Sequence, residues 1–476
     1  MKRIFSNLVI VFTAAIFVIK SSPAQTVIDG HWEGAILISG SELEIKVDFV
    51  NGTDSLRATM DIPQQKQKGL KLIHVKYSHP KIYFELPAGP GLATFDGAFV
   101  EGADSIAGSF KQAAFTGTFF LKKGEYVKPE VKEEPVPYKQ EEVTFTNGSN
   151  SFAGTLTIPE LPGKHPAVVM ITGSGAQNRD EEIIGFKLFR VIADQLTRNG
   201  IAVLRYDDRN IGGSTGKTVN ESTTDEFAGD VVEAVKYLKT RDDINPQQVG
   251  LFGHSEGGIV APLAGTKYEG IAFMVLMAGT GVKGIDILKE QSKLIMKADH
   301  GSDLEVKGYM EMLDEVYKAV TTKKGWGELK KMFKESMEES YNRMSKEEKS
   351  TVTSKEAYIE QMTEATMTEF KSPWMQYFLQ YDPKPALEKT KCPVLLLFGG
   401  KDLQVPVAQN EKPMTDALKK AGNTDYTVRT FANANHLFQS AKTGSPSEYA
   451  DLPKEFVPGF LDEISNWITA RVTVVK

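Results

Sequence analysis

The sequence predicts an α/β domain, a mostly parallel sheet covered by helices and interrupted by a helical cap insertion, preceded by an all-β barrel or sandwich. Three patterns carry that prediction. Between 28 and about 121, short segments such as 35–39, 43–47, 81–86 and 115–120 alternate apolar and polar residues and are broken by Gly, Asn and Asp, as half-buried antiparallel strands require. Beyond 143 the apolar segments become continuous and β-branched, at 167–171, 201–206, 249–252, 273–277 and 393–398, the mark of strands buried on both faces. The segments between them have helix length except after Met277, where more than a hundred residues precede Cys392. An insertion therefore enters the sheet at that point.

In chain order, residues 1–25 read as a secretory signal peptide: Lys2 and Arg3, an apolar segment from Leu8 to Ile19, then the small residues Ser21, Ser22 and Ala24. The apolar segment is shorter than the roughly 20 residues that span a bilayer, so export to the periplasm or the outside is expected, without stable membrane insertion. Removing this leader takes the net charge from −6 to −9. An acidic chain with no long basic block excludes a nucleic-acid partner. The lone Cys392 excludes an intramolecular disulfide and a zinc ribbon.

Residues 26–125 form the expected β-domain, in which His31, His74 and His79 lack metal-ligand spacing. Residues 126–142, rich in Lys, Glu and Pro, read as a semi-extended linker. The catalytic domain is expected over 143–280 and 386–476. Within it Phe227, Val231, Ala234, Val235 and Leu238 recur at helical spacing, which predicts an amphipathic helix packed on the sheet. The insertion, 281–385, carries nine of the fifteen methionines, from Met296 to Met375. Because methionine fills irregular apolar space, this cap is expected to wall a pocket for apolar groups; ordinary helix core beside a solvated charge run at 323–349 is the alternative.

The chemistry-bearing residues lie where strands end. Gly253-His254-Ser255-Glu256-Gly257 follows an apolar strand and precedes a helix-compatible stretch. A serine projected from a sharp strand-to-helix turn needs neighbours two positions away with almost no side chain, because those backbones approach closely. A serine hydroxyl is a weak nucleophile until a base takes its proton and a third group holds that base. Asp402 follows the strand at 393–398, and His436 follows the short strand at 426–431, which places both on the edge that carries Ser255. The expected catalytic set is thus Ser255, Asp402 and His436. The backbone N–H groups of Glu256 and Ser174 are the expected oxyanion donors, with Gly175 the alternative to Ser174. The Thr172-Gly173-Ser174-Gly175 loop lacks the lysine and spacing of a phosphate loop.

These motifs, with Gly-Ser-Gly-Ala-Gln-Asn-Arg-Asp at 173–180, Tyr206-Asp207-Asp208-Arg209 and Gly-Gly-Lys-Asp at 399–402, resemble the α/β-hydrolase superfamily over about 143–472. The nearest branch resembles bacterial carboxylesterases of the EstD type, related to the serine aminopeptidase and dienelactone hydrolase groups. The resemblance implies a carboxylic ester hydrolase that needs no cofactor and acts on small-molecule esters. One departure is visible: many relatives read Asp-Arg-Arg-Gly or Asp-Tyr-Arg-Gly where this chain has Asp-Asp-Arg-Asn-Ile-Gly. Asp208 and Arg209 are therefore read as structural partners of neighbouring loops. A serine peptidase of the aminopeptidase or prolyl oligopeptidase type would share every residue named, and would differ by an acidic pair placed for a substrate amine. A non-catalytic glycan- or lipid-binding protein is the other alternative, against which an intact triad argues.

Overall fold

The computed structural model describes residues 28–38, 41–51, 56–63, 67–87, 92–100, 104–112, 115–125, 135–344, 349 and 354–474. The predicted signal peptide at 1–25 and most of the predicted linker lie outside the described residues. Among the described residues no helix is long and apolar enough to cross a membrane.

The N-terminal domain is one antiparallel sheet of nine strands: β1 (Gly30–Ile38), β2 (Ser41–Asn51), β3 (Leu56–Ile62), β4 (Gln67–Lys71), β5 (Ile73–Ser78), β6 (Lys81–Pro87), β7 (Leu92–Phe99), β8 (Ser105–Gln112) and β9 (Phe115–Lys123). Their order is β4-β3-β2-β1-β9-β8-β7-β6-β5. The sheet curls until β5 packs on β3, so the domain is a near-closed barrel. Alternation explains the filling, because every second residue points inward. Trp32, Phe49, Phe84, Phe95 and Phe119 occupy the interior, with Phe84 stacked on Phe95 at 4.6 Å between ring centres.

The second sheet runs β10 (Tyr138–Asn147), β11 (Asn150–Pro159), β15 (Ala202–Tyr206), β12 (His165–Ile171), β16 (Ile244–His254), β17 (Met274–Met277), β18 (Val394–Gly399) and β19 (Tyr426–Phe431), and a separate small hairpin pairs β13 (Glu182–Ile183) with β14 (Phe186–Lys187). From β15 to β19 every pairing is parallel. The reason that these strands read as continuous apolar segments is visible in β12. Ala167, Val169 and Ile171 enter the core on one face, while Val168 and Met170 enter the core on the other. Helices α2 (Thr224–Lys239), α3 (Gly257–Lys267) and α10 (Val407–Lys420) cover the first face; α1 (Leu188–Arg198) and α11 (Phe460–Thr469) cover the second. The expected helix around Phe227 is α2, begun by Thr223, whose hydroxyl accepts from the Glu226 N–H.

One predicted boundary is corrected. Residues 138–142 belong to β10 and not to a linker, because Tyr138 is buried with its hydroxyl donating to Asp194 at 2.9 Å. The charges that gave this stretch its linker character are held: Glu141 pairs with Arg241 and Glu142 with Arg179.

Between β17 and β18 the chain leaves the sheet as α4 (Gly284–Ala298), α5 (Asp303–Thr322), α6 (Trp326–Arg343), α7 (Lys355–Lys371) and α8 (Pro373–Gln380), then returns through the single turn α9 (Lys384–Leu387). A reciprocal capping box between Ser302 and Glu305 starts α5. The insertion has its own core of Leu313, Val316, Val320, Leu329, Phe333 and Phe370. Phe333 is 1% exposed and stacks on Phe370 at 5.6 Å. Phe333→Ala is expected to cost about 3–5 kcal/mol, with the loss confined to the insertion. Hydrogen exchange should show faster exchange in α5 to α7 with β12, β16 and β18 unchanged, and uniform loosening of both would contradict a separate core.

Candidate active site

The geometry begins with a close approach. Between β16 and α3 the chain turns at Ser255, a non-glycine residue at φ +54°, and its N–H donates to the Met277 carbonyl at 2.9 Å. A Cβ at Gly253 would lie 2.0 Å from the Gly257 carbonyl oxygen, and one at Gly257 would lie 2.2 Å from that of Ile171. The two glycines flanking Ser255 are thus dictated by backbone contact.

Asp402 follows β18 and is 3% exposed. Its Oδ1 accepts from the N–H groups of Gln404 and Val405, both at 2.8 Å, and its Oδ2 meets His436 Nδ1 at 2.8 Å. With Nδ1–H engaged on the carboxylate, Nε2 is the nitrogen left to accept a proton. His436 follows β19 in a loop that the Asn435 side chain shapes by accepting from the N–H groups of Leu437 and Gln439.

Ser255 and His436 face one cleft of about 450 Å³, which Ser174 and Glu256 also line. No hydrogen bond joins the serine hydroxyl to the imidazole; such contacts commonly tighten when substrate binds. The backbone N–H groups of Ser174 and Glu256 have no acceptor among the described residues. Apolar side chains from the hydrolase body, including Ile183, Ile259 and Leu437, form much of the wall, and the insertion adds Ile287 and Phe378. Neither Met296 nor Met375 lines the cleft. Met375 packs against the insertion's own core instead, because thioether side chains filled the gaps between cap helices.

Asp208 holds a neighbouring loop, as its reading required, whereas the main partner of Arg209 lies in helix α2. Asp208 accepts from Thr172 Oγ1 at 2.7 Å and from the Gln177 N–H at 2.8 Å, which clamps both sides of the Ser174 loop. Arg209 makes a two-point contact with Asp230, at 2.6 and 2.9 Å, inside the protein.

Several contacts escaped the sequence reading. Glu256 is buried, and its carboxylate accepts from Thr224 Oγ1 at 2.7 Å and, at 3.0 Å on each oxygen, from the indole N–H of Trp374 in α8. The insertion is thereby tied to the residue beside Ser255. Burial raises the Glu256 pKa above the usual carboxylate value, against the lowering by its donors. Glu181 and His254 form a second buried carboxylate–imidazole contact, at 2.8 Å. Glu181 directly follows the 173–180 motif and His254 sits inside the serine motif, so each had a sequence address. For Trp374, the Ser372-Pro373 helix start signals α8 but not its partner.

A mostly parallel sheet covered on both faces, a serine at positive φ between strand and helix, and a histidine–aspartate pair after the last two strands define an α/β-hydrolase. A family model described as Hydrolase_4, serine aminopeptidase S33, matches residues 186–440, and the chain belongs to that family. Esterase EstD of Thermotoga maritima is 27% identical over 368 residues, covering 75% of this chain and 74% of that protein. Thiohydrolase aneE of Aspergillus aculeatus is 32% identical over 128 residues, covering 27% of this chain and 37% of that protein. The solved structure of the Pyrococcus furiosus esterase Pf2001 covers 72% of this chain and 96% of its own at 15% identity, with a TM-score of 0.43. The resemblance to the EstD branch is borne out by the family match and by the similarity to EstD along three quarters of the chain.

Because the folded pKa of Glu256 lies above its unfolded value near 4.5, the folded state holds the extra proton, and this group lowers stability as pH rises from about 4.5 through the folded pKa. Glu256→Gln does not titrate. Urea unfolding at pH 4.5 and pH 8 should therefore show stability shifting toward the variant, relative to wild type, as pH rises. A shift toward wild type would contradict the raised value.

Proposed function

We propose that this chain is an exported serine hydrolase that cleaves carboxylic esters through Ser255, His436 and Asp402. The observation that carries this reading is the 2.8 Å contact of His436 Nδ1 with Asp402 in the cleft that Ser255 enters from its strained turn. Ser255 Oγ attacks the ester carbonyl while His436 Nε2 takes its proton; the developing oxyanion is held by the N–H groups of Glu256 and Ser174. His436 then protonates the departing alcohol, and water, activated by the same imidazole, releases the acid from the acyl-enzyme.

Esters are favoured over peptides by the state of the two acids that line the cleft. Glu181 is 0% and Glu256 4% exposed, and each is engaged by protein donors. Neither presents an exposed carboxylate to a substrate amine. The similarity to an esterase along three quarters of the chain agrees with this choice. The description of the matched family keeps a serine aminopeptidase as the second reading. Export rests on the leader-like residues 1–25, and the mass of the mature N-terminus in fractionated cells tests it.

Ser255→Ala should fold as wild type yet lose about 10³-fold or more in ester turnover and all labelling by a fluorophosphonate. Labelling retained at another serine would end the assignment. Aminoacyl amides assayed beside the esters separate the two readings, and faster cleavage of the amides would favour the peptidase. Ile287→Ala and Phe378→Ala widen the insertion's side of the cleft. Each should raise the ratio of long- to short-acyl turnover by about 10-fold, read from kcat/KM on a graded ester series; an unchanged ratio would remove the insertion from the substrate wall.

A further inference from the structure

The proposed chemistry leaves unused a buried pair of titratable side chains beside the triad. Glu181 Oε1 accepts from the Gly173 N–H at 2.7 Å and meets His254 Nδ1 at 2.8 Å. His254 Nε2 lies 3.1 Å from the His436 carbonyl oxygen. A carbonyl oxygen only accepts, so Nε2 of His254 is the donor there. Three hydrogen bonds thus run unbroken from Gly173, the residue before the oxyanion donor Ser174, to the main chain of the base. The His254 and His436 rings lie 4.8 Å apart, and the Gly173 end approaches the Ser255 side chain, since a Cβ added at Gly173 would lie 3.2 Å from that of Ser255.

We infer that Glu181 and His254 are positioning residues, a second carboxylate–imidazole couple that fixes the separation between the oxyanion loop and the catalytic base. The inference rests on the serine-hydrolase reading and adds residues to it. Two features of Glu181 favour this role over a purely structural one. Its Oε2 is buried without a partner, which a residue retained for stability alone would avoid. Its backbone sits at φ +45°, an unfavourable left-handed conformation for a non-glycine residue. His254 is suited to the same task. Burial opposes a charge on its ring, while Glu181 alongside, the His436 carbonyl and Asp402 nearby raise its pKa from the ordinary value, and both ring nitrogens face oxygens that position the ring.

The couple acts on groups that matter most in the transition state, where oxyanion and imidazolium form together. A shift between them should lower kcat and leave substrate binding intact, since displacement of reacting groups by about 1 Å costs roughly 10²-fold. The test uses the full chain carrying Glu181→Ala, His254→Ala, the double variant and the conservative Glu181→Gln, with ester kinetics, thermal unfolding and the rate of fluorophosphonate labelling. Each alanine variant is expected to lose about 10²-fold in kcat and in labelling rate with KM within about twofold. The double variant should be no worse than the poorer single, as for residues that act as one unit. Glu181→Gln, which keeps an acceptor for Gly173 and His254, should recover to within about 10-fold of wild type. Labelling of folded Glu181→Ala within about threefold of wild type would overturn the inference, as would a loss that appears wholly in KM. Should the alanine variants not fold, His254→Asn, whose side chain is too short to span Glu181 and the His436 carbonyl, decides the matter: a lowered kcat at unchanged KM supports the couple, and wild-type kcat overturns it. Wild-type protein that resists labelling altogether would instead refute the serine-hydrolase reading itself.

Discussion

The contact on which the site depends is the approach of three backbones, at Gly253, at Gly257 and at the end of β12. A Cβ at either glycine would fall about 2 Å from a carbonyl oxygen, 2.0 Å at Gly253 and 2.2 Å at Gly257. That closeness forces the chain to reverse within a few residues of the sheet, lifts Ser255 clear of the strand at positive φ, and sets the first turn of α3 directly behind it. The Glu256 N–H then points from the start of a helix, where the orphan donors and the dipole both favour negative charge. Strain at Ser255 is held in place by the pairing of β16 with both β12 and β17.

Around that turn the protein spends polar side chains on holding loops. Asp208 and Glu181 secure the Ser174 loop from two directions, Asn435 shapes the loop of His436, and Glu256 receives the only side-chain donor that Trp374 carries. Buried carboxylates are costly unless hydrogen-bonded, and here each faces two or more donors. The insertion organises a core of its own and is joined to the sheet domain at several points: the Trp374 indole on Glu256, the hydroxyls of Ser445 and Ser447 on Asp299, the Gln409 amide on the Asp286 carbonyl, and Ile287 in the sheet's core.

What the sequence revealed of all this followed the range of each interaction. The strand-end positions of Ser255, Asp402 and His436 were legible because Ser255 and Asp402 follow apolar strands and His436 follows a short one, and strand, turn and glycine spacing are local signals. The two-faced burial of β12 was legible for the same reason. Trp374 and Glu256 lie 118 residues apart, and Glu181 and His254 lie 73 apart; nothing local announces either meeting. Charge misled the reading at 138–142, where Glu141 and Glu142 resemble solvated linker residues until Arg241 and Arg179 arrive from elsewhere in the fold. Composition misled it in the insertion, where methionine content pointed to the cleft although Met375 serves the helix core and Ile287 and Phe378 do the lining.

The place of the insertion also bears on how the chain folds. Met274 pairs with Val394 in adjacent strands, so a contact at the centre of the sheet closes a loop of about 120 residues. Loop-closure entropy grows only logarithmically with length, and an insertion that assembles around Phe333 and Leu313 by itself shortens the flexible part of that loop before its ends meet. The equilibrium cost is therefore small, while the kinetic order is constrained, because non-local parallel pairings are slow to form. During synthesis the serine turn and the Ser174 loop emerge first, then the insertion, and the strands that deliver Asp402 and His436 come last. A nascent chain that has reached Gln380 holds Ser255 and its flanking loops but has neither Asp402 nor His436, and that hydrogen-bonded pair arrives only when β18 and β19 complete the edge of the sheet.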